Sequence, residues 1–323
     1  MEGAREVLRE REGGGGLARA ALDTVAHPRR LAIAARLADI GARLGLARLA
    51  ARALPGRLGW AASLAAPSEG AAFRGVDREG ADVSVFAGCI MREAFGETER
   101  ATVRLLERDG HVVSVPEEQT CCGALHAHAG EGERARQLAR LNVDAFSGKD
   151  AKVVVNAAGC GAHLKDYGHV LANDPLWAER AKAFAARVRD VSEVVKPVPA
   201  RTRRAIRVVY QDACHLAHGQ RIRAQPRALL RAIEGVTLVD IEDAERCCGS
   251  AGIYNLTHPE LSRELQQDKV RKILDASPDV IVSANPGCML QISAGLRAVG
   301  SNARVMHLAR FLDDPDVVVA GDP

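Results

Sequence analysis

The chain is expected to fold as an α/β protein of two tandem, similar halves, each with a small parallel sheet, preceded by an α-helical N-terminal segment. Three observations lead there. One cysteine pattern occurs twice in the same register, β-branched runs alternate with helical stretches from residue 83 onward, and the first 70 or so residues differ in texture, being rich in Ala, Leu and Arg. At 323 residues the chain can bury one large core or two of ordinary size, and the duplication favours two. The expected boundaries are a helical segment at 1–78, a first repeat at 79–200 and a second at 201–323.

From the N-terminus, residues 1–12 are charged rather than apolar, so no secretory signal is visible. The run GGGG at 13–16 lacks a preceding strand and reads as a flexible linker, not a dinucleotide loop. Pro28 and Pro55 mark helix boundaries. Between 31 and 53, apolar residues and arginines recur at helical spacing, which suits a helix lying on a core, a partner or a membrane surface. Packing against the body of the protein is the ordinary outcome for such a helix. The longest apolar stretch, 58–66, is too short to cross a bilayer, and the expected location is cytoplasmic.

Strands are expected at 83–87, 111–115 and 152–156 in the first half and at 206–211, 236–241 and 280–284 in the second. Helices lie between them. One should open near Pro226, present Leu229, Leu230 and Ile233 as its apolar face, and close at Gly235. Strands separated by helices imply right-handed crossovers and parallel pairing.

The cysteines then acquire positions. The first copy of the pattern is Cys89, Cys121-Cys122-Gly123 and Cys160; the second is Cys214, Cys247-Cys248-Gly249 and Cys288, and together they use all eight cysteines. Each group follows the carboxyl end of an expected strand, and in parallel sheets those ends share one edge, where ligands bind. Four thiols should therefore converge in each half. In a reducing compartment such thiols serve as metal ligands or redox centres more often than as disulfides. Four thiolates suit an iron–sulfur cluster or a tetrahedral zinc. The vicinal pairs favour the cluster, because neighbouring side chains diverge and a cluster offers several metal atoms. Gly123 and Gly249 would let backbone N–H groups approach the sulfurs. His126, His163, His215 and His218 lie near the cysteines in sequence; bases and ligands are open to them, and hydrogen bonding around the metal group is the role assigned. With +3 net charge, 3% aromatic residues and no basic stripe, nucleic acid is not expected as a partner.

These residues resemble the cysteine-rich "CCG" domain family of heterodisulfide reductase subunits, lactate-utilisation proteins and glycolate oxidase iron–sulfur subunits. The stretches 119–126 (QTCCGALH), 156–162 (NAAGCGA), 214–220 (CHLAHGQ) and 285–288 (NPGC) look most like the glycolate oxidase iron–sulfur subunit, and the resemblance runs from about 80 to 312. Two departures stand out. Many family members end each repeat with Cys-x-x-Cys, whereas His163 and Gln291 occupy those final positions here, which leaves them to surround the metal group. No cysteine precedes Cys89, so the usual N-terminal ferredoxin-like segment is lacking and a ferredoxin-type module is expected as a partner.

The resemblance implies electron transfer, with one or two iron–sulfur clusters of 4Fe-4S type held by the eight cysteines. A flavin-containing subunit would oxidise glycolate or a similar 2-hydroxy acid, and this chain would pass electrons toward a quinone or other acceptor. A place at the inner face of the membrane is compatible with that. No arginine clamp for the acid is visible, so the substrate is expected to bind elsewhere. Two alternatives stay open: a non-catalytic scaffold that binds zinc or docks partners, and thiol–disulfide chemistry of the heterodisulfide reductase kind; zinc is the alternative to a cluster in one half.

Overall fold

A computed structural model describes residues 16–148, 150–197 and 200–318. The charged start and Gly13 to Gly15 of the glycine run lie outside these residues; Gly16 begins the first described helix. Two four-stranded sheets form, both wholly parallel. The first holds β1 (Val83–Phe86), β2 (Val113–Ser114), β3 (Lys152–Val155) and β4 (Val188–Asp190) in the order β2-β1-β3-β4. The second holds β5 (Ala200–Gln211), β6 (Ile233–Val239), β7 (Val280–Ser283) and β8 (Arg304–His307) in the order β6-β5-β7-β8. The α/β repeat expected from the sequence is thus present twice with one topology.

Alternation along the strands decides which core each residue enters. Val83 and Val85 of β1 and Val154 of β3 join a cluster that continues through Leu105 and Leu106 into Val208, Val209, Ile281 and Val282 of the second sheet. Phe86, Val153 and Val155 face the other way, onto Phe146, Tyr167 and Phe184. The larger cluster therefore draws on both halves. Helix Leu308–Asp313, from the end of the chain, packs on helix Gly96–Arg108 of the first half and seals that shared core with Phe311.

Three local expectations need correction. Strands β4 and β8 were not expected; each is short and carries charged or polar residues within it, and parallel pairing to β3 and β7 supplies what the local pattern lacks. The helix near Pro226 spans Ala224–Arg231, with Pro226 inside its first turn, and Ile233 and Gly235 belong to β6 instead. Gly235 sits where β6 crosses close to Thr202, so close that a Cβ would overlap its Oγ1; the glycine marks a strand approach, not a helix stop.

The third correction concerns the N-terminal segment. It forms α1 (Gly16–Ala26), α2 (Pro28–Arg43), α3 (Leu46–Ala53) and α4 (Gly56–Ser63), so the helix expected across 31–53 is broken at Leu44–Gly45. Docking on the body runs through small residues and a few anchors. Leu22, Ala26, Leu31 and Trp60 are buried, Trp60 Nε1 donates to Asn255 O (2.8 Å), and Arg297 Nη2 donates to Ser63 O (2.8 Å). Apart from Leu31, the large apolar residues of α2 and α3 face outward, contrary to the expectation that they would pack inward. Among the described residues no helix is long and apolar enough to cross a membrane.

Candidate functional site

In each half the carboxyl ends of the strands deliver cysteines to one edge. Cys89 follows β1 and caps helix Ile90–Ala94, Cys121 and Cys122 lie in the loop after β2, and Cys160 lies in helix Ala158–Lys165 after β3. Cys214 follows β5 and opens a single π-turn, His215–Gly219; Cys247 and Cys248 follow β6; Cys288 lies in helix Pro286–Ala298 after β7.

The thiols of each half meet in a row. In the first, Cys89 Sγ is 3.6 Å from Cys121 Sγ and Cys122 Sγ is 3.2 Å from Cys160 Sγ, with the adjacent Cys121 and Cys122 joining the two pairs. In the second, Cys214, Cys247, Cys248 and Cys288 lie in the corresponding row, each close enough to its neighbour to shift that neighbour's acidity. All eight are free thiols. Among the described residues no three His, Cys, Asp or Glu side chains surround one point in the manner of ligands to a single ion.

Shared protons split the thiols by acidity. The proton shared with Cys121, together with burial, pushes Cys89 well above the ordinary thiol range. Cys248 is pushed up by its bonds to Cys247 and Cys288 and by burial. Cys247 is held far below the usual range by hydrogen bonds from Cys214 and Cys248, and Cys288 is held down by the bond from Cys248 and by Asn285. Fixed N–H groups reinforce this: Gly249 N lies 3.4 Å from Cys247 Sγ and Asn285 Nδ2 lies 3.4 Å from Cys288 Sγ. Donors aimed at sulfur favour thiolate, the form that binds metal.

The vicinal loop of the first half is clamped by side chains remote in sequence. Gln119 Oε1 accepts from Ala87 N (2.8 Å) and Gly88 N (3.2 Å), tying the Cys89 loop to the Cys121 loop. Asn142 Nδ2 donates to Cys121 O (2.9 Å), and Tyr167 Oη donates to Cys122 O (2.7 Å). The second half uses different groups. Ser262 Oγ donates to Gly249 O (2.8 Å) and accepts from Gln291 Nε2 (2.9 Å). Lys269, almost wholly buried, donates to Asp243 O (2.7 Å) and Ala244 O (3.1 Å) and brings its positive charge to bear on Cys248 and Cys288.

The other sequence-selected residues fall as follows. Gly123 and Gly249 both adopt positive φ, +89° and +90°, at the turn after each vicinal pair. His163 is buried, edge-on to Tyr167, and its Nε2 lies at the Gly123 turn. His126 is buried against Glu131 (2.6 Å). His215 Nδ1 approaches Cys214 Sγ (3.7 Å), and its Nε2 meets His128 Nε2 at 3.1 Å. His218 turns toward Arg223 (3.3 Å). Gln291 braces Ser262 and the Gly249 turn.

Sequence reasoning missed Asn142, Tyr167, His128 and Lys269. One signal was available for the last: Ser262, Gln266 and Lys269 share a helical face with Ile273 and are buried, polar residues where apolar ones are ordinary. A cleft of about 300 Å³ opens between the halves, lined by His128, His163, Lys165, Asp166 and His215, with Gly159 placing it beside Cys160. A larger cavity of about 390 Å³, between α4 and helix Tyr254–Thr257, has no cysteine in its lining, so the chemistry is assigned to the smaller cleft's edge.

The family model for the cysteine-rich domain CCG matches residues 83–165 and 208–293, one match per half. The chain is 40% identical over 240 residues to a probable glycolate oxidase iron-sulfur subunit of Bacillus subtilis (strain 168), covering 71% of this chain and 54% of that one. It is 36% identical over 227 residues to the glycolate oxidase iron-sulfur subunit of Escherichia coli (strain K12), covering 67% and 55%. Lactate utilization protein A of Geobacillus kaustophilus (strain HTA426) is 33% identical over 236 residues, covering 72% of this chain and 98% of that one. The match thus spans about half the length of the glycolate oxidase subunits. In fold, a hypothetical protein from Helicobacter pylori superposes with a TM-score of 0.55 at 11% identity, over 77% of this chain and 50% of that one.

Proposed function

We propose, because the chain belongs to the cysteine-rich CCG domain family, that it is an iron–sulfur subunit of an oxidoreductase complex and relays electrons from a flavin-containing subunit toward a quinone or other acceptor. The observation that carries this is the convergence of four thiols in each half, at the same edge of two sheets of the same topology. In this reading the repeats at 79–200 and 201–323 each hold one centre. Relatives named for glycolate oxidase and lactate utilization support a 2-hydroxy acid as the substrate of the partner subunit. A ferredoxin-type module completes the proposed relay.

The donor set fits such a group. Each half offers four thiols in a row, including a vicinal pair whose side chains diverge, an arrangement that can reach several metal atoms. An iron–sulfur cluster held there takes up and gives back single electrons at a potential set by charge, hydrogen bonds and burial. The chain's own contribution is to hold the sulfurs still and to bias that potential. Gln119, Asn142 and Tyr167 fix the first vicinal loop; Gly249 N–H and Asn285 Nδ2 donate toward sulfur in the second half, and Lys269 adds a buried positive charge there.

The test is anaerobic purification followed by iron, acid-labile sulfide and zinc analysis, with visible spectra before and after dithionite. Iron with sulfide and a dithionite-bleached absorbance is expected. Cys122→Ser and Cys247→Ser should each remove absorbance while leaving most of the far-ultraviolet circular dichroism. Zinc without iron overturns the reading, since zinc has no accessible redox change.

A further inference from the structure

The outward face of the N-terminal helices is built for a lipid surface. At about 100° per residue, Ile33, Leu37 and Ile40 fall within one narrow sector of α2, and Leu44, its C-cap, continues the same line. Leu31, the residue of α2 that is buried, lies on the opposite side. The stripe is open to solvent: Ile33 is 63% exposed, Leu37 65% and Leu44 69%. On α3, Leu46 and Leu49 are likewise exposed. The amphipathicity is thus inverted relative to a helix that serves the core, with small residues inward and long aliphatic ones outward.

The charges follow the stripe. Arg29, Arg36 and Arg43 fall along one flank of it and Arg30 along the other, by the same angular count. Residues 28–58 contain seven arginines (29, 30, 36, 43, 48, 52 and 57) and one acidic residue, Asp39, a net of +6; the whole chain carries +3, so everything outside this segment sums to −3. Arg43 is engaged by Asp39 and Ser68 O and Arg30 by Asp23, whereas Arg29 and Arg36 are exposed beside the stripe; an aliphatic stripe flanked by arginines that can extend to phosphate level is the pattern of a helix lying in a membrane interface. The stretch contains no aromatic residue that could anchor a protein pocket. A fluid anionic surface needs no such anchor.

We infer that α2 and α3 seat this protein on an anionic lipid bilayer, with the stripe through Ile33, Leu37, Ile40 and Leu44 in the acyl boundary and the arginines on headgroup phosphates. This inference stands on the helices and is independent of the thiol chemistry. It is tested by flotation of the full chain, purified anaerobically, with phosphatidylcholine vesicles made with or without phosphatidylglycerol. The chain should float with the phosphatidylglycerol vesicles, do so less as salt rises, and stay behind with pure phosphatidylcholine. Leu37→Glu combined with Leu44→Glu should abolish flotation while iron content and circular dichroism stay unchanged, since neither residue touches the core. Arg36→Gln should weaken partition about fivefold, the worth of one cation near such a surface. Absence of flotation at low salt, or equal flotation of the double variant, overturns the inference. So does light scattering that shows a dimer dissociated by the double variant, because the stripe then serves a second copy.

Discussion

The two glycines after the vicinal cysteines allow a controlled comparison. Gly123 and Gly249 have nearly identical φ, +89° and +90°, so replacing either by alanine incurs the same left-handed penalty, about 1–2 kcal/mol. Their surroundings differ. A Cβ at 123 would meet Ala135 O at 3.2 Å and His163 Nε2 at 3.4 Å, contacts that small shifts relieve. A Cβ at 249 would overlap the carbonyl oxygen of Ser262 and press on Gln291 Nε2 (3.1 Å) and Leu265 Cβ (3.2 Å). The overlapped atom is backbone, within helix Pro259–Asp275, so no side-chain rotation clears it. Overpacking of this kind adds about 1–3 kcal/mol. Gly249→Ala should therefore be more destabilising than Gly123→Ala by about that amount in urea titrations followed by circular dichroism. It should also displace Gly249 N from Cys247 Sγ and shift the potential of the second centre alone. Equal midpoints for the two variants, or a milder effect at 249, would refute the account of how the second vicinal turn is held.

Tyr167→Phe removes the hydroxyl that donates to Cys122 O and accepts from Asn142 Nδ2 (3.1 Å), leaving both buried groups short of a partner; a loss of about 1–3 kcal/mol is expected in the same titration. Lys269→Met deletes the buried positive charge felt by Cys248 and Cys288, so redox titration should find the second centre harder to reduce and the first unchanged. His307 is fully buried, and burial holds its pKa down at about 4, against the raising effect of its bond to Asn156 O. Its Nε2 donates to that carbonyl (2.9 Å) while its Nδ1 accepts from Ala309 N (3.1 Å), which only the neutral ring can do. Below pH 6.5 the unfolded chain binds this proton and the folded one does not, so stability is complete above 6.5 and falls by about 3 kcal/mol as pH drops toward 4. Urea midpoints across that window should fall more steeply for the native protein than for His307→Gln.

Much of this architecture is legible in the sequence. The runs at β1, β3 and β7 are short, β-branched and buried throughout or nearly so, which is the pattern of central parallel strands. Because such strands end on one edge, the meeting of the cysteines followed from their spacing alone. What escaped has a physical reason in each case. Strand β8, Arg304–His307, has polar ends and exists because β7 offers it a pairing edge. The inward or outward sense of α2 was hidden because helical period reveals that a stripe exists and not which side the body occupies. Asn142 and Tyr167 act on carbonyls 21 and 45 residues away, so nothing local announces them.

The two halves are joined where their thiols lie, and this bears on how they can work. Ala158 N donates to Ala284 O (2.9 Å), and Gly159 N donates to Asn285 Oδ1 (3.1 Å). Gln220 Nε2 donates to Ala158 O (3.1 Å) and His307 to Asn156 O, so the loop that carries Cys160 is gripped by groups of the second half, while Asn156 Nδ2 ties it to Glu99 and Thr102 of the first. Asn285 faces both ways, because its Nδ2 points at Cys288 Sγ while its carbonyl oxygen accepts from the residue before Cys160. Negative charge gathering at Cys288 strengthens the Nδ2 bond, polarises the amide, and so tightens its hold on Gly159, since linked hydrogen bonds in a buried setting reinforce one another. The charge at one centre and the geometry of the other are therefore connected through a single side chain. Separated halves would leave Gly159 N–H and Ala158 N–H without these acceptors, so the two thiol edges are held in one fixed arrangement by hydrogen bonds as well as by the shared core.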